Sequence, residues 1–441
     1  MKVFVLDTEG GVGLDFACRA AECGHDVRFH HEGKHPVGKG FPGIKFEPDW
    51  KAGITWAGKD GLVVPTGNSK FLRDMDRFRD FGVRIFGPTR QSAELEIDRQ
   101  KGMDAMQAAG LDIPHYEMFD SLQSAMRYAK KSDDPLVFKP MGDEGDKALT
   151  HVADTPADMV GWLEQQIARG KVLKGQCMLQ EKVQMCAEFG VSGWMGPEGF
   201  LSDKYQECFE FKRLMPGDIG PNTGEQGTVC KYVAESRLFD ETLKPLEPLL
   251  RDLGHTGDIA IGVGIGKQGE ILPFEFTARL GWPAFYIQCA SHKGDCVQWM
   301  SDLLDGKDTL QVDYRTAIGV VLSQPPYPEF NGKRDQVEGS PITGIDEVWE
   351  NAHPAMMMIG KGPNMVDGKV KDGPQYQTAG ELVCVMTGLG RTVSIAAERV
   401  YDAIDSVKFA GKMYRNDIGK KLETCLPDVQ QFGFGEGWVY E

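Results

Sequence analysis

The sequence predicts an α/β and α+β protein that opens on a parallel sheet and continues into longer, paired strands. Three observations carry this reading. The opening "KVFVLDTEGGVGLDFACRAAECGHDVRFHHEG" runs strand, glycine turn, amphipathic helix, strand, the first βαβ unit of a parallel sheet. From about residue 256, "TGDIAIGVGIGKQGEILPFEFTARLG" reads as two strands joined by the hairpin "GKQG". The tail from about residue 312 returns to short strands and helices, among them "AIGVVLSQPPYP", "ELVCVMTGLG" and the helix "TVSIAAERVYDAI".

Taken in order, "GLVVPTG" and "VRIFGPT" add two strand ends to the first unit, and the helix "SAELEIDRQKGMDAMQAAG" closes it near residue 110. "PLVFKPMGDEGDKALTHV" then predicts a buried strand, a glycine- and charge-rich loop, and a second strand. "CMLQEKVQMCAEFGVSGWM" gives another strand, a polar crossover and a further strand. The glycines of "EGGVG", Gly10 and Gly11 among them, either aim backbone N–H groups at an anion or simply make a tight turn.

Composition narrows the function class. The 441 residues suffice for several domains, and a formal net charge of −16 disfavours nucleic acid as a bulk ligand. No apolar run approaches the ~20 residues of a membrane span, and the first residues read as a strand and turn, not a signal peptide. Ten cysteines lie scattered without CxxC pairs, the pattern of reduced thiols in a cytoplasmic compartment. A small-molecule enzyme fits best. His30, His31 and His35 are expected in a solvated loop in preference to a metal site.

The residues that carry chemistry are spread along the chain: Lys139 on an apolar strand, Lys147 past the following loop, Glu181 ending another strand, then Glu188, Lys212 and Arg213. The loop "GDIGPNTGEQG" follows, and finally Glu275, Thr277 and Arg279 of "FEFTAR", which alternation places on one face of a strand. Singly, Lys139 reads as a snorkelling edge residue and Glu181 as a solvated strand end. Their order says more: two lysines around a glycine-rich loop can reach nucleotide phosphates, and a late carboxylate can bind the Mg²⁺ that bridges them.

That order resembles an ATP-grasp enzyme, and over nearly its full length the chain is similar to the phosphoribosylamine–glycine ligase family. The carrying stretches are "IFGPT", "VFKPMGDEGDK", "GPNTGEQG", "GKQG", "FEFTARLG", "AIGVV", "VCVMTGLGRTV" and "RNDIG". The resemblance implies an N-terminal α/β domain over 1–110, an ATP-grasp domain over 111–311 with a lid near 115–190, and a C-terminal domain over 312–441. It implies ATP and Mg²⁺ as cofactors, and a small carboxylate and an amine as substrates. Monomer and dimer both stay open. Lys139 and Lys147 stand at phosphate positions, Glu181, Lys182 and Val183 at the adenine hinge, and Glu188 at the ribose. Glu275 stands at the metal with Thr277 beside it. Arg279, Arg213 and Lys212 face the reaction centre, and Gly10, Gly11, Asn222, Thr223, Gly224 and Trp282 the acid and amine. The chemistry implied is phosphorylation of a carboxylate by ATP, followed by amine attack on the acyl phosphate.

The departures cluster. Thr277 replaces the family's asparagine, so the metal is expected to recruit water or Asp258. The lid reads "GDEGDKAL", with carboxylates where glycines prevail. "GWPAF" puts Trp282 and Ala284 in place of two acids, Val12–Gly13–Leu14 replaces an Arg-Glu-His run, and "PTGNSKF" a "GPEAP"-like loop. ATP-side groups survive while acid- and amine-side groups change, which favours a ligase with altered substrates over two alternatives, a divergent phosphoribosylamine–glycine ligase and a non-catalytic nucleotide-binding protein of the same fold.

Overall fold

The computed structural model describes residues 1–441 apart from 9–10, 69–70, 142–149, 174, 330–332 and 367–368. Its N-terminal sheet is parallel, in the order Ile44–Phe46, Asp26–His31, Lys2–Asp7, Leu62–Pro65. The apolar run Val3–Leu6 is buried on both faces, as a central parallel strand requires. "VRIFGPT" contributes only the parallel bridge Val63↔Ile85. The long helix expected before residue 110 is two helices, Arg90–Ile97 and Arg99–Ala108. Asp98 between them is extended, and its carboxylate accepts the N–H groups of Gln100 and Lys101, capping the second helix in place of continuing the first.

His30 and His31 are not in a solvated loop. They end the strand Asp26–His31 and are buried. His31 Nδ1 lies 2.9 Å from Asp7 Oδ2, and His30 Nδ1 lies 2.8 Å from the Glu47 carbonyl oxygen. His35 pairs with Glu338 at 2.8 Å. Parallel pairing of Asp7 with His31 sets the first contact, which the linear sequence hides.

The strands Tyr116–Phe119, Cys177–Glu181, Leu136–Pro140 and His151–Val152 form a second, antiparallel sheet in that order. It has its own core, in which Phe138, Leu136 and Leu179 meet Leu122, Met159 and Leu163 from the helices Leu122–Ala129 and Pro156–Ala168. This unit lies within the stretch expected as the lid, about 115–190.

The third sheet is the largest, with ten strands among the described residues. Its path runs Ile271–Thr277, Gly257–Gly266, Gly190–Gly196, Tyr205–Met215, Ile219–Val233, Thr316–Ser323, Leu382–Gly390 and Ala352–Pro354. Met185–Glu188 adds to Gly257–Gly266, and Gly199–Phe200 to Gly190–Gly196. The strands Thr316–Ser323 and Leu382–Gly390 therefore continue the sheet of the middle region, with the helix Ala284–Ser291 packed across them. Gly319 permits that packing, because a Cβ there would stand 2.4 Å from Ile287 Cγ1.

Candidate active site

The hairpin "GKQG" joins Gly257–Gly266 to Ile271–Thr277, and the first of these strands builds the floor of the site. Its pleat sends Ile259, Ile261, Val263 and Ile265 into the core, all fully buried. The opposite face carries Ala260, Gly262 and Gly264. Gly262 pairs with Glu275 on one side, and Gly264 with Glu188 on the other. Antiparallel partners share a face, so the two carboxylates flank a stretch of sheet without bulky side chains. Phe274 is the extra residue of a bulge, since Glu275 pairs with Gly262 while Pro273 pairs with Val263. Its ring lies over Gly264, where a Cβ would come within 2.7 Å of Phe274 Cζ.

Over this floor the charged groups converge. Lys139 extends from the lid strand Leu136–Pro140, its ammonium 2.7 Å from Gln180 Oε1 and 5.3 Å from the centre of the Phe274 ring. Burial, and then the Arg99 guanidinium, pull the Lys139 ammonium down to about 8, although Glu275 and Glu188 oppose them. Glu275 Oε2 accepts from Arg99 Nη1 at 2.6 Å. Lys212 bridges Glu188 and Glu210, the latter at 2.9 Å. Burial by itself would lower Lys212, but Glu188, Glu210 and Glu275 hold it well above the ordinary lysine range. Lys139, Lys212, Glu188 and Glu275 thus come together from four strands, joined by a fifth group, Arg99, from a helix.

Arg279 is not aligned with Glu275 by strand pleat, because the strand ends at Thr277. Glu96 places it: its carboxylate accepts from Arg279 Nε at 3.1 Å, from the Ala278 N–H at 2.8 Å and from Asn68 Nδ2 at 2.7 Å. Thr277 pairs with Ala260 on the same sheet face as Glu275. Asp258 is not at hand for a metal there. It is buried near the start of its strand, where Gln288 Nε2 reaches Oδ2 at 3.1 Å, and burial pushes its carboxyl up to about 7.

Arg213 neighbours Lys212 in sequence but points elsewhere, as alternation dictates, and donates to the Gly220 carbonyl at 2.9 Å. Glu181 and Lys182 end the lid sheet. Their N–H groups bond the carbonyls of His115 and Pro135, and Lys182 Nζ reaches Asp154 at 2.8 Å. Val183 links the lid to the strand Met185–Glu188. Lys147 and Gly10 lie outside the described residues.

Of the groups expected on the acid and amine side, Gly11, Gly224 and Trp282 gather around Tyr286 and Glu225. The Tyr286 hydroxyl donates to the Gly11 carbonyl at 2.8 Å, and the Trp282 ring meets Tyr286 edge-on at 5.5 Å. Trp282 Nε1 donates to the Glu225 carbonyl at 3.4 Å, and a Cβ on Gly224 would stand 3.8 Å from Trp282 Cδ1. Thr223 donates to the Lys212 carbonyl at 2.8 Å, and Asn222 reaches the Thr150 carbonyl at 3.5 Å. Glu225 is itself buried, with the Thr228 hydroxyl on its carboxylate. Burial, then Glu210, push its carboxyl well above the usual range.

Sequence reasoning missed Arg99, Glu96, Glu210 and Glu225. Glu210 was within reach, since "EFK" puts it on the face of Lys212. Arg99 and Glu96 sit in an ordinary amphipathic stretch and carried no signal.

Comparison with known proteins agrees with this architecture. Residues 317–421 match the family Phosphoribosylglycinamide synthetase, C domain. The phosphoribosylamine–glycine ligase of Ralstonia nicotianae is 29% identical over 357 residues, covering 79% of this chain and 81% of the relative. That of Halalkalibacterium halodurans is 26% identical over 387 residues, covering 86% and 84%. The crystal structure of phosphoribosylamine–glycine ligase from Thermotoga maritima superposes with a TM-score of 0.69 at 22% identity, covering 95% of this chain and all of that one. Biotin carboxylase from Campylobacter jejuni gives 0.63 at 14% identity, covering 98% and 97%. The chain is thus similar in sequence to phosphoribosylamine–glycine ligases and has the ATP-grasp fold of these solved structures.

Proposed function

We propose that this protein is an ADP-forming carboxylate–amine ligase whose acid and amine differ from those of its named relatives. The observation that carries the proposal is the convergence of Lys139, Lys212, Arg99, Glu188 and Glu275 over one glycine-bearing sheet face beneath the lid. Opposed charges held at that density suit a polyanion and its counter-cation. In this reading Lys139 and Lys147 hold phosphates and Glu188 the ribose. Glu181 and Lys182 already use their N–H groups, which leaves the Val183 N–H as the hinge donor to the adenine edge.

The donor set fits Mg²⁺. Glu275 offers a half-exposed carboxylate with the Thr277 hydroxyl on the same face, and magnesium sites commonly need only one or two protein carboxylates plus phosphate and water oxygens. When bound, the ion neutralises charge on the phosphates. The protein's own share is positional: Arg99 orients Glu275, Glu96 fixes Arg279, and Lys212 balances Glu188 and Glu210. The acid takes the terminal phosphoryl group of ATP and releases ADP. The amine then displaces phosphate from the acyl group, forming the C–N bond.

The altered-substrate reading rests on Trp282, Ala284 and Val12–Gly13–Leu14, which replace charged groups on the acid and amine side. A small, densely polar substrate loses about 1–3 kcal/mol for each hydrogen-bond partner removed from its desolvated site. The named relatives, similar over 79% of the chain or more, favour a second reading: phosphoribosylamine–glycine ligase itself. An ADP-release assay across a panel of acids and amines, with mass detection of the conjugate, decides the class. Complementation of a phosphoribosylamine–glycine ligase-null strain without purines decides between the readings. Robust growth restores the relatives' activity, and absence of ADP release with every pair removes the ligase assignment.

A further inference from the structure

Cys23, Asp295 and Cys296 come together at the surface although the first two stand 272 positions apart in the chain. Their two thiol sulfurs and one carboxylate oxygen all lie within 4.8 Å of one another, and they are the one such group of metal-ligating side chains among the described residues. Cys23 caps the C-terminal end of the helix Gly13–Glu22, while Cys296 precedes the helix Gln298–Leu304, so the cluster joins the N-terminal α/β unit to the central region. Both cysteines are free thiols, Cys23 exposed and Cys296 half-buried.

The carboxylate between them is held firmly. Asp295 Oδ1 accepts the N–H groups of Val297 at 2.8 Å and Gln298 at 3.0 Å, and His25 Nε2 lies 2.9 Å from Oδ2. A ligand carboxylate steadied by backbone donors and a second-layer histidine is the arrangement that pre-organises metal sites. The Cys23 and Cys296 side chains hydrogen-bond to each other beside this carboxylate, so the three donors are already converged on one point for a cation that displaces the thiol protons.

We propose that Cys23, Cys296 and Asp295 bind a thiophilic divalent cation of the zinc type. The donor set supplies three protein ligands of the kinds zinc takes and leaves a fourth position for water. Binding forms two metal–sulfur bonds and one metal–oxygen bond, releases the thiol protons to solvent, and ties the first helix to the segment 295–296. A hard cation such as Mg²⁺ has no preference for this site.

The test uses the full chain, reduced and stripped with chelator, titrated with Co²⁺ alone. Cobalt on thiolate gives a near-ultraviolet charge-transfer band, which cobalt on the carboxylates of the cleft does not. The expected result is such a band saturating at one equivalent, lost in Cys23→Ser and in Cys296→Ser, weakened in Asp295→Asn and retained in the Cys425→Ser control. Zinc should displace the cobalt, and should raise the melting temperature of the parent chain but not that of Cys23→Ser. No band, or a band that survives Cys23→Ser, overturns the proposal. So does a Cys23–Cys296 disulfide that forms in air in a chain showing no cobalt uptake when reduced.

Discussion

The side of the cleft proposed for the nucleotide and the side proposed for the acid and amine are built from different materials. On the first, Lys212, Arg99, Glu188, Glu210 and Glu275 lie in short ion pairs, with 2.6 Å from Arg99 to Glu275 and 2.9 Å from Lys212 to Glu210, and Lys139 bonds the Gln180 amide oxygen beside them. On the second, Trp282, Tyr286 and Gly11 meet through ring edges and main-chain carbonyls. An array of opposed charges can be handed from protein partners to a polyanion and its metal with little rearrangement. Rings and carbonyls select by shape and by single hydrogen bonds. The first surface therefore suits a shared chemistry, and the second can change its ligand without disturbing the first.

Lys139→Ala should give the largest effect on that division. In its proposed role Lys139 makes a charge-assisted phosphate contact, each contributing about 1.5–3 kcal/mol, so ATP affinity measured by calorimetry should fall at least tenfold. Trp282→Ala should leave ATP affinity within about twofold while shifting the KM for the acid or amine by roughly three- to tenfold, a loss of ~1 kcal/mol of ring contact. If Trp282→Ala weakened ATP as much as Lys139→Ala, the two surfaces would not be separable.

A smaller effect follows from protonation. In the free protein the Lys139 ammonium is pulled down to about 8, below the ordinary lysine value of 10.5, so above about pH 8 it is increasingly neutral. Phosphate binding favours the charged form. ATP affinity should thus decline as pH rises through 8, and binding above that pH should take up protons, read from calorimetry in buffers of different ionisation enthalpy. Lys139→Ala should abolish the uptake, whereas Trp282→Ala should leave it unchanged. Smallest of all, Thr277→Asn adds a better oxygen ligand beside Glu275. It should lower the Mg²⁺ needed for half-maximal ADP release by roughly two- to fivefold, equivalent to ~0.5–1 kcal/mol.

Much of this was legible in the chain before any coordinates. The parallel opening, the hairpin over 257–277 and the burial of the apolar strands follow from periodicity and turn chemistry, because local backbone preferences and the need to bury apolar faces act over a few residues. The residue types and their order put forward Lys139, Lys147, Glu181, Glu188, Lys212, Arg213, Glu275 and Arg279 as a set, of which Lys139, Glu188, Lys212 and Glu275 come together over one sheet face.

What only the tertiary structure decided is which charges meet. Arg99 on Glu275 and Glu96 on Arg279 join residues 176 and 183 positions apart, through helices that look ordinary in sequence. Strand alternation turned Arg213 away from Lys212, the end of a strand at Thr277 handed Arg279 to Glu96, and parallel pairing buried His31 against Asp7. Asp258, near in sequence to the floor of the site, is sealed against Gln288 instead. Ion pairing is a short-range event between side chains that the fold brings together, so composition and spacing can name the charged groups, but only sheet register and helix docking assign their partners.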